Sequence, residues 1–436
     1  MTLFCRIAIL IGLPLAVSCG DKDDTATVRT EGQYPGVCAD GADNDSDGLY
    51  DCNDPDCAGA PDCEADADTD ADADTDTDTD ADSDADADTD ADADADADAD
   101  SDADTDYTVC AEGGEHTTIQ DAVNNAVDGD AITICAGTYV ENVVVDAVQV
   151  SLMGVDGAAA TTIDAGGSGS VLRITSGQDS STTISGLTLT NGNTYGADHD
   201  DWGGGLFLYM SSPSISDLVV EWNEAGYGGG IAMFESDSVL DDIVVRYNVA
   251  DEYTGGIHIE GGAPEISHAW ISFNEGHYGG ALLCGTNCEL VFHNSFMTYN
   301  ECTTGGVPGV SAGSGSSLLY NLVSAYNVGA TGGGYGISGP VVYNSISYEN
   351  EAMGFLNAMG RTLEYNLSFG NSSGAGLSSS DSNITIDPRF VDPEAGDFTL
   401  QSISPAVDAG NPAGGYNDLD GTRNDMGAYG GPYGAW

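Results

Sequence analysis

The chain has 436 residues, and its 73 acidic residues against 8 Lys plus Arg give a formal net charge of -65. A protein with so few cations cannot displace the counterions of a phosphate backbone, which excludes nucleic acid as a partner, and it should be repelled by anionic lipid surfaces. Divalent cations and neutral polymers are the expected partners.

Residues 1–19 have the pattern of an export signal. Arg6 precedes an apolar run over residues 7–17, which is too short to span a bilayer. The stretch Ala-Val-Ser-Cys that ends at Cys19 resembles a bacterial lipobox. This resemblance implies that Cys19 is lipidated and anchors the mature chain to the cell outer membrane or cell surface through a tether of residues 20–37. The alternative is secretion without a lipid, and either route allows disulfides to form.

Residues 38–63 form a small module with four cysteines and many Asp residues. Three Asp at alternate positions precede Gly48, a pattern that begins acidic calcium loops, although the Glu that closes an EF-hand is missing. The module resembles a thrombospondin type 3 repeat and the Asp-rich Cys modules of myxobacterial surface proteins, which implies two further ligands. The expected calcium ligands are Asp43, Asp45, Asp47, Asp51 and Asp54. The alternative is an acidic spacer closed by disulfides.

Residues 64–106 form an acidic linker in which, from Asp66 onward, every second residue is Asp. The residues between are Ala, Thr or Ser, so the segment has no large apolar side chain with which to build a core. Like charges at every second position favour an extended chain. We therefore predict a spacer that holds the following domain away from the cell surface.

The composition changes at Tyr107, and residues 117–127 carry the apolar stripe of a short amphipathic helix. The stripe consists of Ile119, Ala122, Val123, Ala126 and Val127. Such a helix would cover the open end of the core that follows and protect its strand edges. Cys110 and Cys135 are placed to join this cap to the first coil.

An asparagine repeat organises the rest of the chain, with intervals of 25, 26, 26, 27, 23 and 21 residues. Its members are Asn223, Asn248, Asn274, Asn300, Asn327, Asn350 and Asn371. Gly pairs recur in step, and the short runs between are rich in β-branched and aromatic residues, which predicts two or three short strands per coil. Coils stacked at ~4.8 Å would let the Asn side chains bond to one another and to the turn backbone. Asn also tolerates a left-handed turn, and the Gly pairs supply positive φ or close backbone approach.

This pattern resembles the right-handed parallel β-helix of the pectin-lyase-like superfamily. The Gly255-Gly256-Ile257 and Arg246-Tyr247-Asn248 motifs are similar to the paired repeats of chlamydial polymorphic outer-membrane proteins. Residues 386–430 resemble the C-terminal part of bacterial surface β-helix proteins of the choice-of-anchor Q type. The expected fold of residues 107–436 is all-β, a right-handed parallel β-helix with a short N-terminal capping helix. Because this fold hosts lyases, hydrolases, adhesins and inert stalks, it does not decide the activity.

Two stripes on one corner of the predicted solenoid form a candidate binding surface, because equal positions of successive coils stack. The aromatic stripe is Trp202, Tyr227, Tyr253 and Tyr278, and the acidic stripe is Glu224, Asp251, Glu252 and Glu275. Aromatic faces beside carboxylates suit a polysaccharide along the helix axis, either directly or through calcium. The alternative is that stacked rings only stabilise the turns and the acids only solvate the surface.

An enzyme is the second hypothesis for function. The best catalytic candidates are Asp198, His199, Asp200, Asp201 and Arg246. Membership of the superfamily would make the protein a calcium-dependent polysaccharide lyase or a glycoside hydrolase, but the Asn-Thr-Asp, Asp-Asp and Gly-His-Gly motifs of polygalacturonases are missing. We therefore favour a lipid-anchored surface protein that binds polysaccharide.

Three smaller features complete the predictions. Two of Cys284, Cys288 and Cys302 should pair and leave one thiol. A second asparagine column is expected at Asn294, Asn321, Asn344 and Asn366. Asp418, Asp420 and Asp425 should staple the C-terminal cap, with Arg423 neutralising them, and a calcium site is the alternative.

Overall fold

The computed structural model describes residues 107–195, 201–313, 315–330, 334–377 and 382–435. The predictions for residues 1–106, which include Cys19 and the five Asp calcium ligands, lie outside these ranges. Asp198, His199 and Asp200 lie outside them too.

The described solenoid contains three parallel sheets, of which two run most of its length and the third spans five central coils. Sheet A consists of Tyr107–Val109, Ala131–Ile134, Gly137–Val140, Ser151–Gly154, Thr161–Asp164, Thr183–Thr190, Ser214–Glu221, Val239–Arg246, Glu265–Ser272, Val291–Thr298, Leu318–Ala325, Val341–Tyr343, Ile346–Tyr348, Thr362–Glu364 and Leu367–Phe369. Sheet B consists of Val143–Asp146, Leu172–Thr175, Leu206–Tyr209, Ile231–Phe234, Ile257–Glu260, Leu282–Cys284, Val310–Ala312, Tyr335–Ser338 and Met353–Phe355. Sheet C consists of Glu224–Ala225, Val249–Ala250, Glu275–Gly276, Glu301–Cys302 and Val328–Gly329.

Equal positions of successive coils lie over one another, as the repeat predicts. In sheet A, Leu218 pairs with Ile243 and Ile243 with Ala269, and all three side chains are buried in the core. A residue with positive φ, such as Asp242 at 53°, bends each long strand of this sheet near its middle. The bend turns apolar residues three positions apart, rather than two, toward the same core. The predicted parallel β-helix is therefore confirmed.

The asparagine column forms a continuous buried ladder. The Asn248 side-chain oxygen accepts bonds from the Asn223 backbone N–H and from its Nδ2, each at 3.0 Å, and the Asn248 Nδ2 donates to the Val220 carbonyl at 2.9 Å. Both predicted roles, bonding to the next copy and to the turn backbone, are confirmed. The left-handed residue is not the asparagine, however. It is the residue before it, for example Tyr247 at φ 57°, because the asparagine side chain must point inward.

The Gly pairs serve close backbone approach. Gly255 and Gly256 have ordinary φ, but a Cβ on Gly255 would collide with the Glu275 carbonyl of the next coil. Positive φ falls instead on the preceding glycine in some coils, such as Gly228 at 65°. Of the two predicted roles for the pairs, close approach is the one that the structure shows.

The core narrows toward the C-terminal end, where the repeat shortens. The inward column that holds Met297 in one coil holds Ser324 in the next, and Ser347 after that. These hydroxyls fill the smaller space and accept bonds from the asparagine ladder, for example from Asn350 Nδ2 to Ser347 Oγ at 3.0 Å. The shorter intervals therefore reflect a tapered core rather than a loss of the ladder.

The N-terminal cap is a helix over Ile119–Asn125, shorter at both ends than predicted. Thr118 is its N-cap, and the Glu141 carboxylate accepts the Ile119 and Gln120 N–H groups at 2.8 and 2.9 Å. Val127 lies beyond the helix and is 59% exposed, so it does not belong to the buried apolar stripe as predicted. The predicted disulfide between Cys110 and Cys135 is present. Cys284 pairs with Cys288, and Cys302 is the remaining thiol, buried and with its pKa raised by that burial.

The C-terminal segment, residues 382–435, packs along the outer face of sheet A. It contains an antiparallel hairpin of Phe390–Asp392 and Asp397–Leu400, with 3-10 turns at Pro393–Ala395 and Gly414–Tyr416. Its buried apolar residues pack on an outward column of sheet A that includes Phe296, Val323, Ile346 and Leu367. The cap therefore covers a side of the solenoid.

Side chains of the second asparagine column hydrogen-bond this segment to sheet A. Asn294 Nδ2 donates to the Ala428 and Gly430 carbonyls, each at 2.8 Å, and Asn344 Oδ1 accepts the Asn411 N–H at 2.7 Å. Asn366 does not belong to this column, which corrects the prediction. Because the coil has only 21 residues there, Tyr343 pairs with Glu364, and Tyr365 takes the place above Asn344.

The C-terminal acids bind backbone amides of their own segment. Asp418 accepts the Asp425 N–H at 3.0 Å, and Asp425 accepts the Asp408 N–H at 2.6 Å. Arg423 does not neutralise them as predicted. Its guanidinium donates to the Gly410 and Ala409 carbonyls, at 2.6 and 3.1 Å, and lies over the Tyr365 ring. The staple is present, but it consists of carboxylate-to-amide bonds.

Asp425→Asn should stabilise the protein at neutral pH and not in acid. Burial, with a smaller contribution from the neighbouring Asp418 carboxylate, raises the pKa of Asp425 to about 6, against the opposing hydrogen bond from the Asp408 N–H. The folded state therefore binds more protons than the unfolded state between the ordinary pKa of 3.8 and about 6, and stability falls as pH rises through that window. Asn keeps the acceptor and removes the charge. Thermal unfolding across this range measures the effect.

Asp420→Asn is the matched control, because bonds from Thr422 lower the pKa of Asp420. Removing the Asp420 charge should therefore bring no gain in stability at neutral pH. An Asp425→Asn variant that unfolds at the wild-type temperature at neutral pH would contradict the assigned burial cost.

Candidate functional site: the face of sheet C

Each coil crosses sheet C in two residues, of which the first points outward and the second inward. The inward residues are small and mostly buried, such as Ala225 and Ala250, and the coil turns sharply at each end of the strand. The paired outward residues are Glu224, Val249, Glu275, Glu301 and Val328. We call these side chains, with the aromatic rings at the two ends of the strands, the sheet C face.

The predicted acidic stripe is only partly one column. Val249, the residue directly after the marker Asn248, stands between Glu224 and Glu275. Asp251 and Glu252 lie beyond the strand, in a loop that has one more residue than the equivalent loops of the neighbouring coils. The Glu252 carboxylate instead bonds the Tyr227 hydroxyl. Burial and this bond raise the pKa of Tyr227 to about 12. The carboxylates of the face are thus a row of Glu residues plus one acidic loop at its edge.

The predicted aromatic stripe does stack, and we call it the Trp202 ladder. Ring centroids are 4.8 Å apart from Trp202 to Tyr227, 4.4 Å from Tyr227 to Tyr253 and 5.5 Å from Tyr253 to Tyr278. The first two contacts are parallel and the third is tilted. This ladder borders sheet C at the end of its strands.

A buried histidine supports the Trp202 ladder from below. His258 has no exposed surface and lies edge-on to three of the rings, at 5.2 to 5.5 Å. Its Nδ1 is 3.4 Å from Thr254 Oγ1, and its Nε2 is 3.5 Å from the Glu260 carboxylate. The His258 contact is the main cause of the lowered pKa of Glu260. A hydroxyl, an imidazole and a carboxylate therefore lie in a row in space. Because Thr254 and His258 are fully buried, these side chains position the rings and cannot attack a substrate.

A second aromatic column, the Trp222 ladder, borders sheet C at the start of its strands. Its rings belong to the left-handed residues before the marker asparagines, namely Trp222, Tyr247, Phe273, Tyr299 and Tyr326. Successive centroids are 4.5, 5.2, 5.1 and 5.0 Å apart, and every pair is parallel within 16°. Trp222 is 57% exposed and Phe273 47%. The sequence contains the signal for this ladder, an aromatic residue directly before most of the marker asparagines.

The structure separates Arg246 from Asp201, the predicted catalytic acid that lies within the described residues. Its Nε bonds the Glu221 carboxylate at 2.7 Å, and its guanidinium lies over the Tyr247 ring, so it belongs to the Trp222 ladder. Asp201 lies at the other end of the sheet C strands, where its carbonyl accepts the Tyr227 N–H. The described residues therefore do not bring Arg246 and Asp201 into one site.

Two further observations concern metals and membranes. Within the part of the chain that the structure describes, no three His, Cys, Asp or Glu side chains are grouped so that they could hold a metal ion. The described helices are also too short and too polar for any of them to cross a bilayer.

No protein-family model and no curated protein matches this chain. Among solved structures, pectate lyase Pel9A is similar, with 12% identity, a TM-score of 0.40, and coverage of 74% of this chain and 95% of that one. A pectin methylesterase in complex with a hexasaccharide has 13% identity and a TM-score of 0.36, over 68% of this chain and 98% of that one. Pectin methylesterase from carrot has 16% identity and a TM-score of 0.31, over 67% and 91%. Matches this distant assign no family, and the chain's own parallel register shows that it is a parallel β-helix.

Proposed function

We propose that this protein is a lipid-anchored surface protein whose β-helix binds a linear polysaccharide along the sheet C face. The observation that supports this function best is the pair of aromatic ladders on either side of a row of carboxylates. Both ladders repeat once per coil, so a polymer of repeating units along the axis meets the same contacts at each coil. Aromatic surface beside a few polar groups is the usual composition of a sugar-binding site.

The ring geometry defines how such a polymer would lie. Rings within a ladder cover one another's faces, so the ladders present edges, hydroxyls and the half-exposed rings of Trp222 and Phe273. Sugar C–H groups would pack on these apolar ridges, and Glu275 and Glu301 would accept bonds from sugar hydroxyls. Arg246, whose guanidinium lies over the Tyr247 ring of the Trp222 ladder, is paired with Glu221. A neutral polymer therefore fits this face better than an acidic one.

The N-terminal predictions complete the proposed function. Lipidated Cys19 would hold the chain at the cell outer membrane or cell surface, and the Asp-rich linker would extend the β-helix from it. Calcium at Asp43, Asp45, Asp47, Asp51 and Asp54 would stiffen the base, since a module this small needs a metal or disulfides to fold. Sequence patterns alone support these three assignments.

Trp222→Asn combined with Phe273→Asn should weaken polysaccharide binding by roughly tenfold or more, because each half-exposed aromatic contact is worth about 1 kcal/mol. Asn is chosen because both positions have positive φ, which Asn accepts. Retention of the whole mature chain on a broad panel of immobilised neutral and acidic polysaccharides is the measurement. Ends released during the same incubations test the lyase or hydrolase alternative.

Tyr209→Ala is the matched control, because Tyr209 is an aromatic residue of similar exposure, 41%, on sheet B. It should leave retention unchanged. A wild-type chain that every polysaccharide fails to retain would remove the proposed function, and equal losses in the control and the ladder variant would remove the sheet C face as its site.

A further inference from the structure

A cavity of about 380 Å³ lies where the Trp222 ladder ends against the C-terminal segment. Its lining includes Tyr348 from sheet A and Asp387, Arg389, Phe390 and Gln401 from the C-terminal segment. Small-molecule sites commonly occupy clefts of roughly 300 to 1,000 Å³. The cavity is therefore large enough to hold a sugar unit.

The apolar part of the cavity continues the ladder. Tyr326, the last ladder ring, meets Tyr348 edge-on at 5.6 Å, and Tyr348 meets Phe390 edge-on at 5.3 Å. In the next coil the ladder position is Glu349, so no further ring extends the column. A polymer that follows the Trp222 ladder would reach its end at this cavity.

The polar part of the cavity contains both donors and acceptors. The Asp387 carboxylate accepts the backbone N–H of Arg389 at 2.8 Å, and Arg389 has positive φ, so a tight turn presents both side chains at the rim. Among the residues that the structure describes, the Arg389 guanidinium has no hydrogen bond or ion pair, and it is exposed. The Gln401 Nε2 donates to the Phe390 carbonyl at 2.9 Å, which leaves the Gln401 side-chain oxygen as an acceptor.

We propose that this cavity is a subsite for one neutral sugar unit, the terminal unit of the polysaccharide on the Trp222 ladder. The assignment rests on the proposed function. Arg389 donates to a sugar hydroxyl, Asp387 accepts from its neighbour, and the Tyr348 and Phe390 rings pack against the sugar carbons. One positive and one negative side chain leave the rim without net charge, which favours a neutral unit over a uronic acid.

The test uses the full-length protein and saturation-transfer NMR with single sugars at millimolar concentration. The probes are the methyl glycosides of glucose, galactose and mannose, together with N-acetylglucosamine and glucuronic acid. At least one neutral sugar should bind, and Arg389→Asn or Asp387→Asn should each weaken that binding by about tenfold, since each removes a bond to a charged group. Asn suits both positions. It tolerates the positive φ of residue 389, and at position 387 its one oxygen can still accept the backbone N–H of the turn while the charged second oxygen is lost.

Ile403→Asn is the control on the same segment, where Ile403 is 66% exposed and outside the cavity lining, and it should bind as the wild type does. Binding of glucuronic acid alone, binding of no sugar, or neutral binding unchanged in both cavity variants would each overturn the subsite. Polysaccharide retention of the same variants separates the two proposals. If polysaccharide retention depends on the Trp222 ladder but no single sugar binds, the subsite is ruled out and the proposed function is not.

Discussion

Asn274→Ala should lower the free energy of unfolding by about 3 to 5 kcal/mol, because it breaks the buried ladder at its centre. The Asn274 side chain accepts the Asn248 N–H and Nδ2, and donates to the Asn300 side-chain oxygen and to the Val245 carbonyl, all at 2.9 or 3.0 Å. Alanine leaves the Asn248 N–H buried without a partner and leaves the Asn248 Nδ2 with only the Val220 carbonyl. That desolvation cost, rather than the lost bonds alone, makes the effect large.

Urea denaturation followed by circular dichroism measures this loss. Stacked coils need not unfold in one step, so amide hydrogen exchange at residues 239–272 should report the local weakening separately. Glu275→Gln is the neighbouring control, since Glu275 is exposed and its substitution should change stability by less than about 0.5 kcal/mol. An Asn274→Ala loss as small as that of the control would show that the ladder is not a stabilising element.

Phe398→Ala should release the C-terminal segment from sheet A. Phe398 is 2% exposed and packs between Phe296 at 5.6 Å and Phe390 at 5.2 Å. Truncating such a buried ring costs about 3 to 5 kcal/mol. Phe398 belongs to the apolar cluster between this segment and sheet A and not to the core of the coils, so this loss should favour undocking over unfolding of the coils.

Limited proteolysis with mass spectrometry should then detect cleavage within residues 382–435 while the coils stay protected. Trp270, which packs against the same cluster, should show red-shifted fluorescence as water reaches it. Ile403→Ala is the control, because Ile403 is exposed on that segment. Unchanged protease resistance and fluorescence in Phe398→Ala would indicate that other contacts hold the segment.

Where coils have equal length, the repeat was sufficient to predict the structure. Asn223, Asn248 and Asn274 are spaced by nearly constant intervals, and their side chains bond in a line. The Trp202 ladder was predictable for the same reason, since each ring stands four residues before a core residue of sheet B. Local spacing fixes such columns because successive coils are held in register by parallel hydrogen bonds.

The predictions failed where a column was assigned from residues at unequal distances from the marker asparagine. Asp251 and Glu252 follow Asn248 by three and four residues, whereas Glu224 and Glu275 directly follow theirs, so Val249 takes the column position. The 21-residue coil moves Asn366 one place out of the second asparagine column. The repeat intervals do not show at which turn of the coil an additional or missing residue is accommodated. Contacts between the coils and the C-terminal segment, such as His268 with the Tyr433 carbonyl, carry no periodic signal either.

The sequence by itself determined the stacked coils, the asparagine ladder, the capping helix and the Cys110–Cys135 disulfide, because each depends on residues close in the chain or one coil apart. Only the tertiary structure decided that the Trp222 ladder is a surface and that a cavity closes its end. Asn294 bonds carbonyls more than 130 residues away, and the cavity joins Tyr348 to a segment that folds back along the solenoid. Such contacts arise from packing between distant segments, which no local repeat encodes.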